Sequence, residues 1–169
     1  MLVGAMNPCR CGYFGHPTRK CTCRPDDVRR YISRISGPML DRMDIQIELP
    51  SLTYGEISSP DAGAERSEVI RERVTRAREF AARRTGKDRG IFCNAQLDAA
   101  GIHEFCQTDS DAAKLLAAAY DRLGLSARGY DRVLRVARTI ADLAESEVIR
   151  APHVAEALQL RSLDRKYWN

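Results

Sequence analysis

Four cysteines stand as two close pairs, Cys9-x-Cys11 and Cys21-x-Cys23, within fifteen consecutive positions, while Cys93 and Cys106 lie far downstream. Nine residues separate the pairs. Such a spacing fits a tetrahedral all-sulfur zinc site, because one loop can fold back and offer four soft ligands to a single cation. Gly12, Gly15 and Pro17 allow the reversal, and Arg10, Arg19, Lys20 and Arg24 offset the negative charge that four thiolates leave around a divalent ion. Free reduced thiols, or a redox or disulfide pair, are the competing readings of the same pattern. His16 is an alternative ligand, although four sulfurs already complete a closed structural shell, which performs no metal-centred catalysis.

Two further side chains are placed where they can meet phosphate, and a third polar residue, Asn7, stands at a turn. Arg42 follows Gly37-Pro38 and precedes an alternating segment, so its guanidinium stands on a stiff corner from which it can neutralise charge on a transferred phosphoryl group. The plainer reading joins it to Asp41 and Asp44 as a surface charge cluster. Arg128 lies two residues after Ser126, in the first turn of an expected helix, where free amides and the helix dipole already favour an anion. Asn7 precedes Pro8 and suits a turn. Arg132, Arg135 and Arg138 follow Arg128 along the same helix and read as packing or solvated charges.

Basic residues also gather at Arg66, Arg71, Arg73, Arg76, Arg78, Arg83, Arg84, Lys87 and Arg89, interleaved with Glu65, Glu68, Glu72 and Glu79. Offsets of three or four residues make ordinary surface pairs, and without a one-sided stripe a solvated face is favoured over a DNA contact. Tyr13 and Phe14, between Arg10 and Arg19, suit either stacking on unpaired bases or burial under the cysteine loop.

The elements that must position these groups follow from periodicity. Leu2 to Met6 reads as a short buried strand. Pro25, Asp26 and Asp27 open a helix whose stripe is Val28, Tyr31, Ile32 and Ile35 and which Gly37-Pro38 stops. Asp44 to Leu49 alternates as a half-exposed strand, with Ile45, Ile47 and Leu49 on one face. Beyond a linker over 51–65, helices are expected over Arg66–Arg84, with Ile70, Val74, Ala77 and Ala81 on one face, and over Asp98–Cys106, with Thr85–Gly90 as a polar break between them. Ser110 is expected to cap a helix ending at Gly124, Ser126 to cap one carrying Val133, Val136, Ile140 and Leu143, and a last helix to run from Pro152 through Leu160.

Composition bounds the class. A net charge of +4 permits nucleic acid without requiring it, and 44% hydrophobic residues fit a globular chain. No apolar run approaches the ~18 residues that span a bilayer, and the first residues lack a signal-peptide layout, so no membrane partner is expected and the expected location is cytoplasmic.

The blocks Gly4-Ala-Met-Asn-Pro-Cys-Arg-Cys-Gly-Tyr-Phe-Gly-His, Cys21-Thr-Cys-Arg-Pro, Ile35-Ser-Gly-Pro-Met-Leu-Asp-Arg-Met-Asp and Leu125-Ser-Ala-Arg-Gly-Tyr-Asp-Arg-Val-Leu-Arg-Val-Ala-Arg-Thr-Ile-Ala-Asp-Leu resemble the magnesium-chelatase-like AAA+ ATPases of the YifB/ComM competence group. The resemblance runs from Leu2 to about Leu163. It implies a mostly α chain: residues 1–50 as the end of an α/β AAA+ nucleotide-binding core with two short strands and a zinc-loop insertion at 9–23, then the linker, then 66–169 as an all-α helical lid. It further implies Arg42 as arginine finger, Asn7 as the sensor-1 residue, Arg128 as sensor 2, ATP with magnesium as cofactors of the complete protein, a hexameric ring and movement on DNA. No Gly-x-x-x-x-Gly-Lys-Ser/Thr phosphate loop occurs in the sequence, so a carboxyl-terminal part of such a protein, inactive alone, is expected. A zinc-bearing nucleic-acid-binding module without ATPase and a magnesium chelatase motor subunit are the alternatives.

Overall fold

Pro25 carries no amide to leave unpaired and its ring presets φ, so the first helix, α1 (Pro25–Ile32), starts there, with Asp26 and Asp27 at the positive end of its dipole. In this computed structural model, which describes residues 2–58, 64–86 and 90–161, the chain divides into two compact units that separate between residues 58 and 64. The linker centre at 59–63, Lys87 and Arg89 of the basic run, the middle of the polar break and residues 162–169 lie outside the described residues.

In the first unit α1 turns Val28 and Ile32 inward, with Tyr31 beside them, onto the cysteine loop. It ends at Ile32, earlier than Ile35 as its stripe predicts. Gly37-Pro38 does more than stop a helix: Pro38 sits in the first turn of a short second one, α2 (Gly37–Leu40), which buries Leu40. Another short helix, α3, covers Tyr54–Ser58.

The two expected strands are absent. Leu2–Met6 and Asp44–Leu49 have no ladder partner, and Leu2, Val3, Ile45, Ile47 and Leu49 are exposed. A strand is stabilised by hydrogen bonds to a neighbour, and none reaches these segments among the described residues. In the second of them it is the polar Gln46 that is buried.

The second unit is a helical bundle built around α7. Its helices are α4 (Ser67–Thr85), α5 (Ala99–Phe105), α6 (Ser110–Leu123), α7 (Ala127–Leu143) and α8 (Ala151–Gln159), with a 3₁₀ turn at Asn94–Gln96. Three of the starts are capped by side chains that accept an orphan amide. Asp98 takes Gly101 N at 2.8 Å, Asp109 takes Ala112 N at 2.8 Å, and Ser126 Oγ takes Gly129 N at 3.0 Å. The cap of α6 is thus Asp109, one residue before the expected Ser110. Gly124 closes α6 at φ +57°, a left-handed conformation that suits glycine.

Val133, Leu134, Val136, Ala137 and Ala141 of α7 form the centre of the core, against Leu116 of α6, Val154 and Ala157 of α8, and Ile102 and Phe105 of α5. The buried face of α7 is wider than the predicted stripe, whose last member Leu143 is exposed. On α4 the predicted stripe divides: Ala77 is buried, whereas Ile70 and Val74 lie exposed nearer its start. A single parallel bridge joins Thr108 to Ile149, with Ile149 N donating to Gln107 O at 2.9 Å and Asp109 N to Ile149 O at 3.0 Å, and it ties the entries of α6 and α8 together. No described helix is long and apolar enough to cross a membrane.

Candidate metal centre and exposed arginines

Loop geometry brings the four predicted thiols together. Gly12 at φ +83° and Gly15 at φ +77° bend the chain back after the first pair, in a conformation that other residues rarely adopt. Gly12 N donates to Cys9 O at 3.1 Å and His16 N to Tyr13 O at 3.1 Å, closing two successive turns. The sulfurs of Cys9, Cys11, Cys21 and Cys23 then lie within 4.8 Å of one another.

Cys9 Sγ is 3.4 Å from Cys11 Sγ and 3.8 Å from Cys21 Sγ, and Cys11 to Cys21 is 3.5 Å. Four thiolates about 2.3 Å from a central zinc would be separated by about 3.8 Å, so the cluster needs little adjustment to close on a metal ion. The same separations are far beyond the ~2.05 Å of a disulfide bond, and all six cysteines are free thiols.

Electrostatics favour a cation at the centre. Backbone hydrogen bonds from Tyr13 and Thr22 hold the Cys11 thiol down at about 5. Cys21 accepts a backbone hydrogen bond from Cys23, but desolvation and the neighbouring Cys11 and Cys9 sulfurs push it up to about 12. Cys23 is raised for the same reasons, against a backbone hydrogen bond at Cys11. The Cys11 sulfur therefore takes the negative charge that Cys21 and Cys23 resist, and a divalent ion at the centre would relieve that conflict.

Cys9 is fully buried and packs on Val28 and Ile32, so the apolar stripe of α1 rests directly on the sulfur cluster. His16 is turned to another task. Its Nδ1 accepts Arg19 N at 3.0 Å and Thr18 N at 3.2 Å, which clips the loop between the cysteine pairs.

Of the phosphate-directed candidates, Arg42 and Arg128 lie well beyond this cluster in the sequence, while Asn7 stands two residues before Cys9. Arg42 follows the last turn of α2, where Arg42 N donates to Met39 O at 3.0 Å, and its guanidinium donates to Pro38 O at 2.9 Å. It is exposed and meets no carboxylate among the described residues. Asn7 is exposed, and its side chain lies 3.7 Å from where a Cβ on Gly12 would stand, so it borders the first turn of the cysteine loop. Arg128 is exposed in the first turn of α7, beyond the Ser126 cap, and makes no ion pair among the described residues.

The arginines further along α7 are mostly internal. Arg138 is fully buried, with its Nε on Asp142 Oδ1 at 3.0 Å, Nη1 on Glu147 O at 2.7 Å and Nη2 on Ser146 O. Arg135 donates to Leu97 O at 2.7 and 3.1 Å. Arg84, counted by sequence among the surface charges of α4, also turns inward, to Asp142 and to Asn94 Oδ1, the latter at 2.9 Å. Of the rest of that run, Arg73 forms a paired contact with Glu65 at 2.8 and 3.0 Å.

Comparison with known proteins gives the class. The family described as "Magnesium chelatase, subunit ChlI" matches residues 1–57, and "Magnesium chelatase, subunit ChlI C-terminal" matches residues 64–161. The chain belongs to the magnesium chelatase subunit ChlI family. Among individual relatives it is 40% identical over 164 residues to the uncharacterized protein YifB of Escherichia coli K12 and 40% identical over 164 residues to competence protein ComM of Haemophilus influenzae. YifB of Salmonella typhimurium is 37% identical over 164 residues. Each of these alignments covers 97% of this chain and 31% of the relative, so the chain spans about a third of the length of the proteins it matches.

Proposed function

We propose that the chain is the carboxyl-terminal segment of a ComM-like AAA+ ATPase that assembles as a hexameric ring in the cytoplasm and couples ATP turnover to movement on DNA, as in branch migration during recombination or natural transformation. The observation that carries this reading is the 40% identity to competence protein ComM across 97% of the chain, joined to an exposed Arg42 that no carboxylate neutralises among the described residues. A guanidinium engaged by one carbonyl keeps further donors for an anion.

In this reading Arg42 reaches the nucleotide of the neighbouring subunit and stabilises charge as the phosphoryl group leaves. Asn7 orients the attacking water, and Arg128 contacts phosphate from the start of α7, where the dipole assists it. The sequence has no phosphate loop, so the principal grip on ATP and magnesium belongs to other parts of the complete protein. Exposed Leu2, Val3, Ile45, Ile47 and Leu49 fit a place in the sheet of that nucleotide-binding core. Cys9, Cys11, Cys21 and Cys23 hold a structural zinc, which supplies a cross-link and no reaction step.

The test is Arg42→Ala in the complete protein. ATP binding is retained and turnover falls by a factor on the order of 10³. Unchanged turnover rejects the reading. The family description also favours a second reading, a motor subunit for magnesium insertion into a pigment, and deletion of the gene separates the two: loss of recombination or DNA uptake supports the first, loss of pigment the second.

A further inference from the structure

Helix α4 outruns the bundle it belongs to. From Ser67 to Arg76 every residue is exposed, and burial begins only at Ala77. Beyond that point the helix is held inward by Ala77, by Thr85 and by Arg84 on Asp142. The apolar stripe does not stop where the packing stops: Ile70 and Val74 continue the line of Ala77 and Ala81, at offsets of four, three and four residues. Ile70 is 40% and Val74 42% exposed, and Val69, next in sequence, is 49% exposed. About three turns of helix therefore carry an apolar seam that is largely uncovered among the described residues and is continuous with the packing of α4 on α7.

The charges of the same turns are sorted around that seam. At about 100° per residue, Ile70, Val74, Ala77 and Ala81 fall within about 60° of the helix circumference, and Arg71 and Arg78 lie along one edge of it. Val74 has Arg71 three residues before it and Arg78 four after it, so both are its neighbours on the helix surface. Along the other edge Arg73 is already taken by Glu65, at 2.8 and 3.0 Å, and Arg76 lies further round. Glu68, Glu72 and Glu79 stand on the opposite side. Arg71 and Arg78 are exposed and make no ion pair among the described residues.

We propose that the outer half of α4 is a docking face for an amphipathic helix of a partner protein, which lays apolar side chains on Ile70 and Val74 and brings carboxylates to Arg71 and Arg78. The wet aliphatic seam selects an apolar occupant, and the two arginines, seven residues apart on one edge, select an acidic border on it. A nucleic-acid backbone would satisfy the arginines and leave Ile70 and Val74 in water. A second copy brings the same edge, and a two-fold antiparallel pairing of the seams sets arginine against arginine. The inference is separate from the nucleotide reading, in which neither Arg71 nor Arg78 has a part.

The experiment titrates a fluorescein-labelled, acetylated peptide into the purified chain and into the complete protein, followed by anisotropy. The peptide has about 18 residues, with leucine at every third or fourth position and glutamate along one edge. Val74→Ala is expected to weaken binding about three- to thirtyfold, with Val74→Ile retaining it. Arg71→Glu combined with Arg78→Glu should weaken it about tenfold, and a peptide with lysine in place of glutamate should recover the loss on that variant alone. These positions are exposed, so helical circular dichroism and melting temperature should match the parent in every variant.

Wild-type affinity in Val74→Ala overturns the proposal, and so does failure of the peptide to bind the chain. Equal competition by poly-glutamate reduces the face to a charge patch, and equal competition by oligo-deoxythymidine makes it a nucleic-acid site; both outcomes overturn it. Dimerisation of the chain that Val74→Ala abolishes, seen by analytical ultracentrifugation, assigns the face to a second copy instead. Binding by the chain but not by the complete protein gives the face to another part of that protein, which overturns the proposal as well.

Discussion

Arg138 donates to Asp142 one turn further along α7, at 3.0 Å, and the same carboxylate receives Arg84 from α4. Asn94 Nδ2 completes the arrangement, at 2.7 Å from Asp142 Oδ2 and 3.0 Å from Thr139 Oγ1. Arg138 and Asp142 are both buried, so each guanidinium depends on this acid for compensation. Asp142→Ala should therefore cost about 3–5 kcal/mol, the scale for stranding a buried charge. Urea unfolding followed by helical circular dichroism measures it. A loss below about 1 kcal/mol, typical of exposed pairs, would contradict the account.

Much of the bundle was readable because helix starts and stops are local. Asp98, Ser126 and Gly124 act where the sequence places them, and α4 and α8 begin and end within a residue of expectation. Arg84 was misread because it lies in a run of surface charges, and its partner Asp142 is 58 positions away. On α7 the sequence carried no signal of a buried pair, because Arg138 and Asp142 stand four apart across the helix from the predicted stripe of Val133, Val136 and Ile140, as an ordinary surface pair would, and only the wider buried face of α7 encloses them. The alternation from Asp44 to Leu49 misled in the opposite sense, since a period of two specifies which residues share a face but supplies no partner strand.

Cys9 is the most buried of the clustered thiols and the one on which Val28 and Ile32 pack. With the proposed structural zinc in place, Cys9→Ser should lower bound metal from about one per chain toward zero and loosen α1, because a metal held by this cluster would supply part of the folding energy of so small an apolar unit. Metal analysis of freshly purified protein, with hydrogen exchange on the α1 amides, tests both parts. The α7 and α8 amides should keep their protection. Full zinc occupancy in Cys9→Ser would remove this residue from the ligand set.

His153 receives the Arg150 amide on Nδ1 at 3.1 Å and so helps to start α8. Burial lowers its pKa below the ordinary 6.5, and Arg138 and Arg150 add to the effect against Glu156 and Asp109. Between the lowered value and 6.5 the unfolded chain binds more protons than the folded one. Stability consequently rises with pH through that window and is lost as pH falls through it. Melting temperature followed from pH about 8 down to about 5 should decline more steeply for the parent than for His153→Gln. Parallel curves would assign the decline to other groups.

Arg128 offers the most direct check on the nucleotide role of α7. It stands in the first turn, where amides not used by the Ser126 cap and the helix dipole already favour an anion, and it is exposed without an ion-pair partner among the described residues. A charge-assisted hydrogen bond to phosphate is worth about 1.5–3 kcal/mol, so Arg128→Ala in the complete protein should weaken ATP binding roughly ten- to hundredfold. Arg128→Lys should recover part of it, since charge survives while the planar fork does not. Helix stability argues for specificity, because an exposed arginine in a first turn contributes little to folding and the melting temperature should be unchanged. Unaltered ATP affinity in Arg128→Ala, at unaltered stability, would leave the start of α7 without a nucleotide to hold.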